Sequence, residues 1–231
     1  RKLAVAGKSV VLSTLTLIES ESDLKMLRKI VGNGDFSVEA NDMGAVNLLS
    51  AQKIPFVAGP TLNVFNGETL GILHEAGAMR WVMPPELSAG TLSSLQNQAP
   101  PGLETEVFAH GRLPLAFSAR CFTARRFNLQ KDTCEFRCIE FPDGMALKTR
   151  EGEAFLTLNG TQTQSSRTYD LLLELPRLRE MKVAVARISP DSLHTAAVIG
   201  QYRGCLEGDL TPQAAWQATR DLLAGETCNG F

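Results

Sequence analysis

No apolar run in this sequence approaches eighteen residues, so no membrane-spanning helix is expected. No signal peptide is visible, and the chain opens at Arg1 without an initiator methionine, so an earlier natural start is expected. An excess of charge is also missing. The net charge of −2 argues against a general nucleic-acid binder, whose affinity rests on neutralising phosphates. Neither G-x-G-x-x-G nor G-x-x-x-x-G-K-[ST] occurs, which removes the common dinucleotide and phosphate loops. G-x-S-x-G is absent, so a serine nucleophile on a hydrolase elbow is not expected. The zinc-protease helix H-E-x-x-H is absent too, since His74-Glu75 runs on into Ala76-Gly77-Ala78. His74 on a helix and His194 near a helix start read as surface or cap residues. Five cysteines is an odd number. With spacings that look like ligation, it points to a reducing, cytoplasmic setting without disulfides.

A chain of 231 residues with 44% hydrophobic content is present, enough for one large domain or two small ones. Short β-branched runs alternate with capped amphipathic stretches. Strands are expected at Ser9–Thr16, Phe36–Ala40, Ile54–Ala58, Met79–Met83 and Glu104–Ala109. Helices are expected over Asp23–Val31, from Asn41 or Asp42 to Ala51, over Asn66–Ala76, and from Ala89 to about Gln98 behind Ser88. This alternation means β-α units on a parallel sheet, and without a phosphate loop it points to a (β/α)8 TIM-barrel-like fold. The working residues of such barrels lie where strands end. Those ends carry Glu39, Asn41, Asp42, Asn63, Glu86, His110 and Arg112, each equally readable as a cap or a solvated loop residue. Further on, Met145–Lys148 and Ala154–Leu158 can pair as a small antiparallel excursion within about 144–160. Tyr169–Leu175 reads as a helix interrupted by Pro176, Lys182–Ile188 as a strand. A helix is expected from Ser189-Pro190-Asp191 to about Tyr202, and a last one over Gln213–Leu223. Counting Ala154–Leu158 and Lys182–Ile188 gives seven barrel strands, and a first β-α unit before Arg1 would supply the eighth. The expectation is thus one barrel-like domain over 1–231, incomplete at its start.

The chain is organised around Ser118–Cys138, S-A-R-C-F-T-A-R-R-F-N-L-Q-K-D-T-C-E-F-R-C. Cys121, Cys134 and Cys138 follow a C-x12-C-x3-C spacing. Thiolates are soft ligands, and several from one short segment suit an iron–sulfur cluster or zinc. Cys134 and Cys138 are four residues apart, so one helical turn or a tight loop can aim both sulfurs at one point. Arg120, Arg125, Arg126, Lys131 and Arg137 stand among them and can offset the thiolate charge. The plainer alternative is three unrelated buried thiols. Structural zinc draws its ligands in close pairs such as C-x2-C. The wider spacing here favours a cluster, with zinc kept as the second metal.

The same residues carry a resemblance. S-A-R-C-F-T-A-R with K-D-x-C-E-x-x-C resembles the oxygen-independent ubiquinone-biosynthesis proteins of the family first named for collagenase-like peptidases. V-V-L-S-T-L-T-L, V-E-A-N-D-M-G-A-V-N, P-F-V-A-G-P-T-L-N, M-R-W-V-M-P-P-E-L-S, G-R-L-P-L-A-F-S-A-R-C, L-N-G-T-Q-T and C-N-G-F extend it in order. The resemblance implies a 4Fe–4S cluster held by Cys121, Cys134 and Cys138 with a fourth ligand upstream of Arg1. Cys228 lies in C-N-G and is not a ligand in that family, and Cys205 has no counterpart. It also implies a heterodimer with a UbiU-type sister protein, contact with other ubiquinone-biosynthesis proteins, and support of ring hydroxylation without oxygen. Catalytic residues are not named by it. The alternatives kept beside it are a catalytic relative acting on RNA or peptides and a structural zinc protein.

Overall fold

Short polar side chains set the helix starts in the first half of the chain by accepting from backbone N–H groups that have no helical partner. The computed structural model describes residues 1–130, 133–223 and 227–229. Two compact units result, 1–107 with 181–185, and 108–180 with 186–231. The first unit begins with one helical turn, α1 (Lys2–Val5), and a short strand, β1 (Val11–Ser13). Helix α2 (Glu21–Val31) opens on a reciprocal box, Ser20 Oγ accepting from Asp23 N–H and the Asp23 carboxylate accepting from Ser20 N–H. β2 (Ser37–Ala40) follows, then α3 (Met43–Ala51) capped by Asp42. β3 (Phe56–Ala58) precedes α4 (Gly67–Glu75), capped by Asn66. β4 (Ala78–Val82) precedes α5 (Ala89–Gln98), capped by Ser88. β5 (Glu104–Gly111) ends the alternation and runs on into the second unit.

β1 to β5 pair in chain order and all in parallel. Val38, Phe56, Ala58 and Val107 are fully or almost fully buried, while Leu27, Leu49, Leu70 and Leu92 cover them from the helices. Near-continuous burial along β2 and β3 is what parallel strands covered on both faces require. At the ends of β1 to β3 a polar knot closes the loops. Asn41 Nδ2 donates to Ser13 Oγ at 2.8 Å and to Glu39 Oε1 at 3.0 Å. Its backbone N–H donates to Thr14 Oγ1, and Thr61 Oγ1 donates to its carbonyl. A Cβ on Gly59 would stand 2.0 Å from Asn41 Oδ1, so only glycine fits beside this knot.

In the second unit β6 (Pro114–Phe117), the short helix α6 (Phe122–Arg126), β7 (Met145–Lys148), β8 (Ala154–Asn159) and β9 (Gln162–Ser165) follow in turn. They form a four-stranded antiparallel sheet in the order β6-β9-β8-β7. The expected pairing of Met145–Lys148 with the strand at 154 is present. That strand belongs to this small sheet, not to the parallel one, and β6 and β9 join it. β10 (Thr168–Asp170) pairs antiparallel with the end of β5. The helix expected over 169–175 is therefore replaced by a strand and a 3-10 turn, Leu172–Glu174, with α7 (Leu175–Glu180) beginning after them. Pro176 lies in the first turn of α7, where its missing N–H costs nothing. β11 (Val185–Ile188), α8 (Thr195–Glu207), α9 (Pro212–Leu223) and β12 (Thr227–Cys228) complete the order, with β12 parallel to β10. The fold is mixed α/β, a mostly parallel sheet with a small antiparallel one. Among the described residues no helix is long and apolar enough to cross a membrane.

Candidate metal centre

Cys121 sits at the N-terminal boundary of α6, and its carbonyl accepts from Arg125 N–H. The segment is tied to the β8–β9 hairpin by Ser118 N–H to Thr161 O at 2.8 Å and Phe122 N–H to Gly160 O at 2.7 Å. Cys134 and Cys138 are joined by a tight reversal rather than by a turn of α-helix. Glu135 and Phe136 between them both adopt left-handed backbone, at φ 54° and 51°, and Arg137–Glu140 then forms a 3-10 turn that contains Cys138. Left-handed conformation at two consecutive residues with side chains is costly and tends to mark sites where geometry is imposed.

The 3-10 turn packs against α6. Phe127 and Phe141 meet with ring centroids 6.2 Å apart, and the Arg137 guanidinium lies 4.7 Å over the Phe127 ring. Arg137 also pairs with Glu140 at 2.9 Å. Of the expected basic neighbours, Arg120, Arg125 and Arg126 are exposed, Arg137 is half-buried, and Lys131 lies outside the described residues.

All three candidate thiols are half-buried and free, as are Cys205 and Cys228. Cys205 is on α8, where burial pushes its thiol pKa up. Cys228 lies in β12 beside Tyr169, and the last two residues of C-N-G-F lie outside the described residues. The donor set fits an iron–sulfur group in kind: three soft sulfurs, Cys121 at the start of α6, Cys138 in the 3-10 turn that contacts α6, and Cys134 in the loop before it. Among the described residues, however, no three His, Cys, Asp or Glu side chains are gathered closely enough to hold a metal ion. Cys121, Cys134 and Cys138 share one segment without forming an ion-sized cage.

The other strand-end residues divide clearly. Asp42 is a helix cap, and Asn41, which reads equally well as one, is instead the buried centre of the knot with Glu39. Asn63 takes a left-handed turn position, and Glu86 is exposed. Arg112 donates from one nitrogen to Thr157 Oγ1, Ser165 O and Ser166 O at 2.6–3.2 Å, fastening β8 and β9. His194 is paired with Asp191, and His74 Nδ1 lies 3.1 Å from Ala78 O. His110 is different. It is 3% exposed at the end of β5, directly across from Asp170 in β10. Its Nδ1 stands 3.8 Å from Asp170 Oδ2, and neither atom has a hydrogen-bond partner. Asp170 Oδ1 accepts from Leu172 N–H and lies 2.9 Å from the Tyr202 hydroxyl. Burial, and then the Asp170 carboxylate, push the Tyr202 phenol far above its ordinary pKa. Sequence reasoning marked His110 only as a strand end, and missed Asp170 and Tyr202 because their stretches read as ordinary helix.

The sequence pattern of peptidase family U32 matches residues 2–223. The chain belongs to peptidase family U32. This U32 chain is 27% identical over 120 residues to the tRNA hydroxylation protein P of Escherichia coli strain K12. That stretch is 50% of the chain and 26% of the relative, so the chain matches about a quarter of the relative's length. Among solved structures it is similar to the U32 peptidase Mk0906, at 15% identity and a TM-score of 0.46, over 83% of this chain and 73% of that one.

Proposed function

We propose that this U32 chain is the iron–sulfur subunit of an oxygen-independent hydroxylase in ubiquinone biosynthesis, of the UbiV type, working beside a UbiU-type sister protein. The observation that carries the reading is the set Cys121, Cys134 and Cys138 inside S-A-R-C-F-T-A-R and K-D-x-C-E-x-x-C, on packed short elements. Those three thiolates would hold a 4Fe–4S cluster together with a fourth ligand. Bound there, the cluster supplies one-electron chemistry. The protein's part is to hold it half-buried, with the charge of three thiolates set among arginines. The parallel run β1 to β5 supports a (β/α)8-type barrel. The relative named for hydroxylation supports the reaction type.

That relative also supports a second reading, in which the substrate is tRNA. The net charge of −2 weighs against it. Deleting the gene and growing cells without oxygen separates the two. The first reading expects ubiquinone to vanish, hydroxylated tRNA to persist, and a tagged sister protein to bring this chain down with it. Normal ubiquinone with lost tRNA hydroxylation would transfer the assignment to tRNA. Normal levels of both would contradict both readings.

A further inference from the structure

We propose that His110 is a general base of this protein, oriented by Asp170, and that it takes a proton from a weakly acidic hydroxyl at the C-terminal end of β5. The phenol of a ubiquinone-ring precursor belongs to that class, and this choice of substrate rests on the function proposed above. The dyad itself rests on geometry alone.

Buried polar atoms in native proteins are nearly always paired. Here the buried side-chain nitrogens and oxygens without a partner, among the described residues, are Trp81 Nε1, His110 Nδ1 and Asp170 Oδ2. Two of the three face each other across 3.8 Å, just beyond hydrogen-bond length. Catalytic hydrogen bonds without substrate are often long and close when it binds. Asp170 is held for such a partner. Leu172 N–H and the Tyr202 hydroxyl both address Oδ1, at 2.9 Å each, which leaves Oδ2 turned to the imidazole. The Tyr202 hydroxyl also lies 2.7 Å from Ala109 O, next to His110 in the chain. The Tyr202 ring stands edge-on to the imidazole at 6.0 Å and fixes its plane. Gly111 lets Ser189 approach closely on the other side, where Ser189 N–H donates to His110 O. Nε2 makes no hydrogen bond to the described residues, although His110 as a whole is buried. One ring nitrogen facing a buried carboxylate, and the other without a partner among the described residues, is the arrangement that positioned bases use.

The step balances without an oxidant. The hydroxyl O–H bond breaks, its electron pair stays on oxygen, and an N–H bond forms at Nε2. Asp170 keeps the Nδ1–H and steadies the imidazolium. The resulting phenolate has an electron-rich ring, which prepares it for hydroxylation. The proton returns to product or solvent afterwards.

The test uses the full-length protein, purified without oxygen and labelled with 15N-histidine. The His110 signal is identified by its loss in His110→Gln. We expect neutral His110 to be the Nδ1–H tautomer. Asp170→Asn should change that tautomer balance and leave the signal of His194, which faces Asp191, in place. In oxygen-free cells, His110→Gln that remains folded and keeps its iron should make no more ubiquinone than the deletion strain. An Nε2–H tautomer, or a tautomer balance unmoved by Asp170→Asn, overturns the dyad. Normal ubiquinone with folded His110→Gln overturns its role as base. Normal ubiquinone in the deletion strain would sink the hydroxylase reading and the phenol with it, while the tautomer of His110 still decides the dyad.

Discussion

A single methyl group tests the polar knot at the ends of β1 to β3. In Gly59→Ala the new Cβ would meet Asn41 Oδ1 at 2.0 Å and the Ala40 carbonyl oxygen at 2.8 Å. Neither neighbour can yield cheaply. Ala40 O belongs to β2 and accepts from Gly59 N–H, and Asn41 is buried and fully engaged. Overpacking of this kind costs about 1–3 kcal/mol, so the urea midpoint of Gly59→Ala should fall with an unchanged slope. A variant as stable as the wild type would show that the knot is loose. The same residues show the limit of sequence reading at this scale. Asn41 and Asp42 are adjacent and both are natural caps. Only the fold decides that Asp42 takes the helix and Asn41 turns inward to Glu39 and Ser13.

At the scale of elements, the caps and the Met145–Lys148 hairpin were legible, and the pairings of β6, β9 and β10 were not. Ser20, Asp42, Asn66 and Ser88 start α2 to α5 where their chemistry says they should. β6 and β9 escaped detection because P-L-A-F is short and largely exposed and Q-T-Q-S is polar. Both are stabilised by neighbours far along the chain. T-Y-D-L-L-L-E-L reads as helix because of its leucines, yet Tyr169 and Asp170 are claimed by β5 and β12, a tertiary override of local propensity. That pairing makes a prediction about pH. Both tyrosines of the chain have raised phenol pKa values. Tyr202 is raised by burial and the Asp170 carboxylate, and Tyr169 by burial and then by the charges of Cys228 and Glu174. The unfolded chain loses these protons near pH ~10, while the folded chain keeps them. Stability is therefore unaffected below ~10 and falls as pH rises beyond it. Tyrosinate absorbance should appear only together with loss of helical circular dichroism. Reversible ionisation of Tyr202 in a still-folded chain near pH ~10, identified by its loss in Tyr202→Phe, would contradict the packing of α8 onto β10.

For the whole molecule, alternation and caps were enough to expect β-α units, and β1 to β5 form them in order. The departure comes after β5, where β10 enters antiparallel and the strand at 154 joins a separate small sheet. The small antiparallel excursion of Met145–Lys148 with the strand at 154 was legible, but no short-range signal marks the antiparallel entry of β10. Between Cys134 and Cys138 the sequence left one helical turn or a tight loop open; the structure takes the tight reversal, with left-handed backbone at Glu135 and Phe136 that nothing in E-F asks for. The account of function stands on Cys121, Cys134 and Cys138 acting together, and the iron content of single variants tests this most directly. The full-length protein, purified without oxygen, should be brown. Cys121→Ala, Cys134→Ala and Cys138→Ala should each lose at least ~10-fold in bound iron, since even losses around a ligand typically cost that much. Cys205→Ala and Cys228→Ala should keep their iron. Equal iron in the wild type and all three variants, or a colourless protein with one zinc per chain, would contradict the iron–sulfur site.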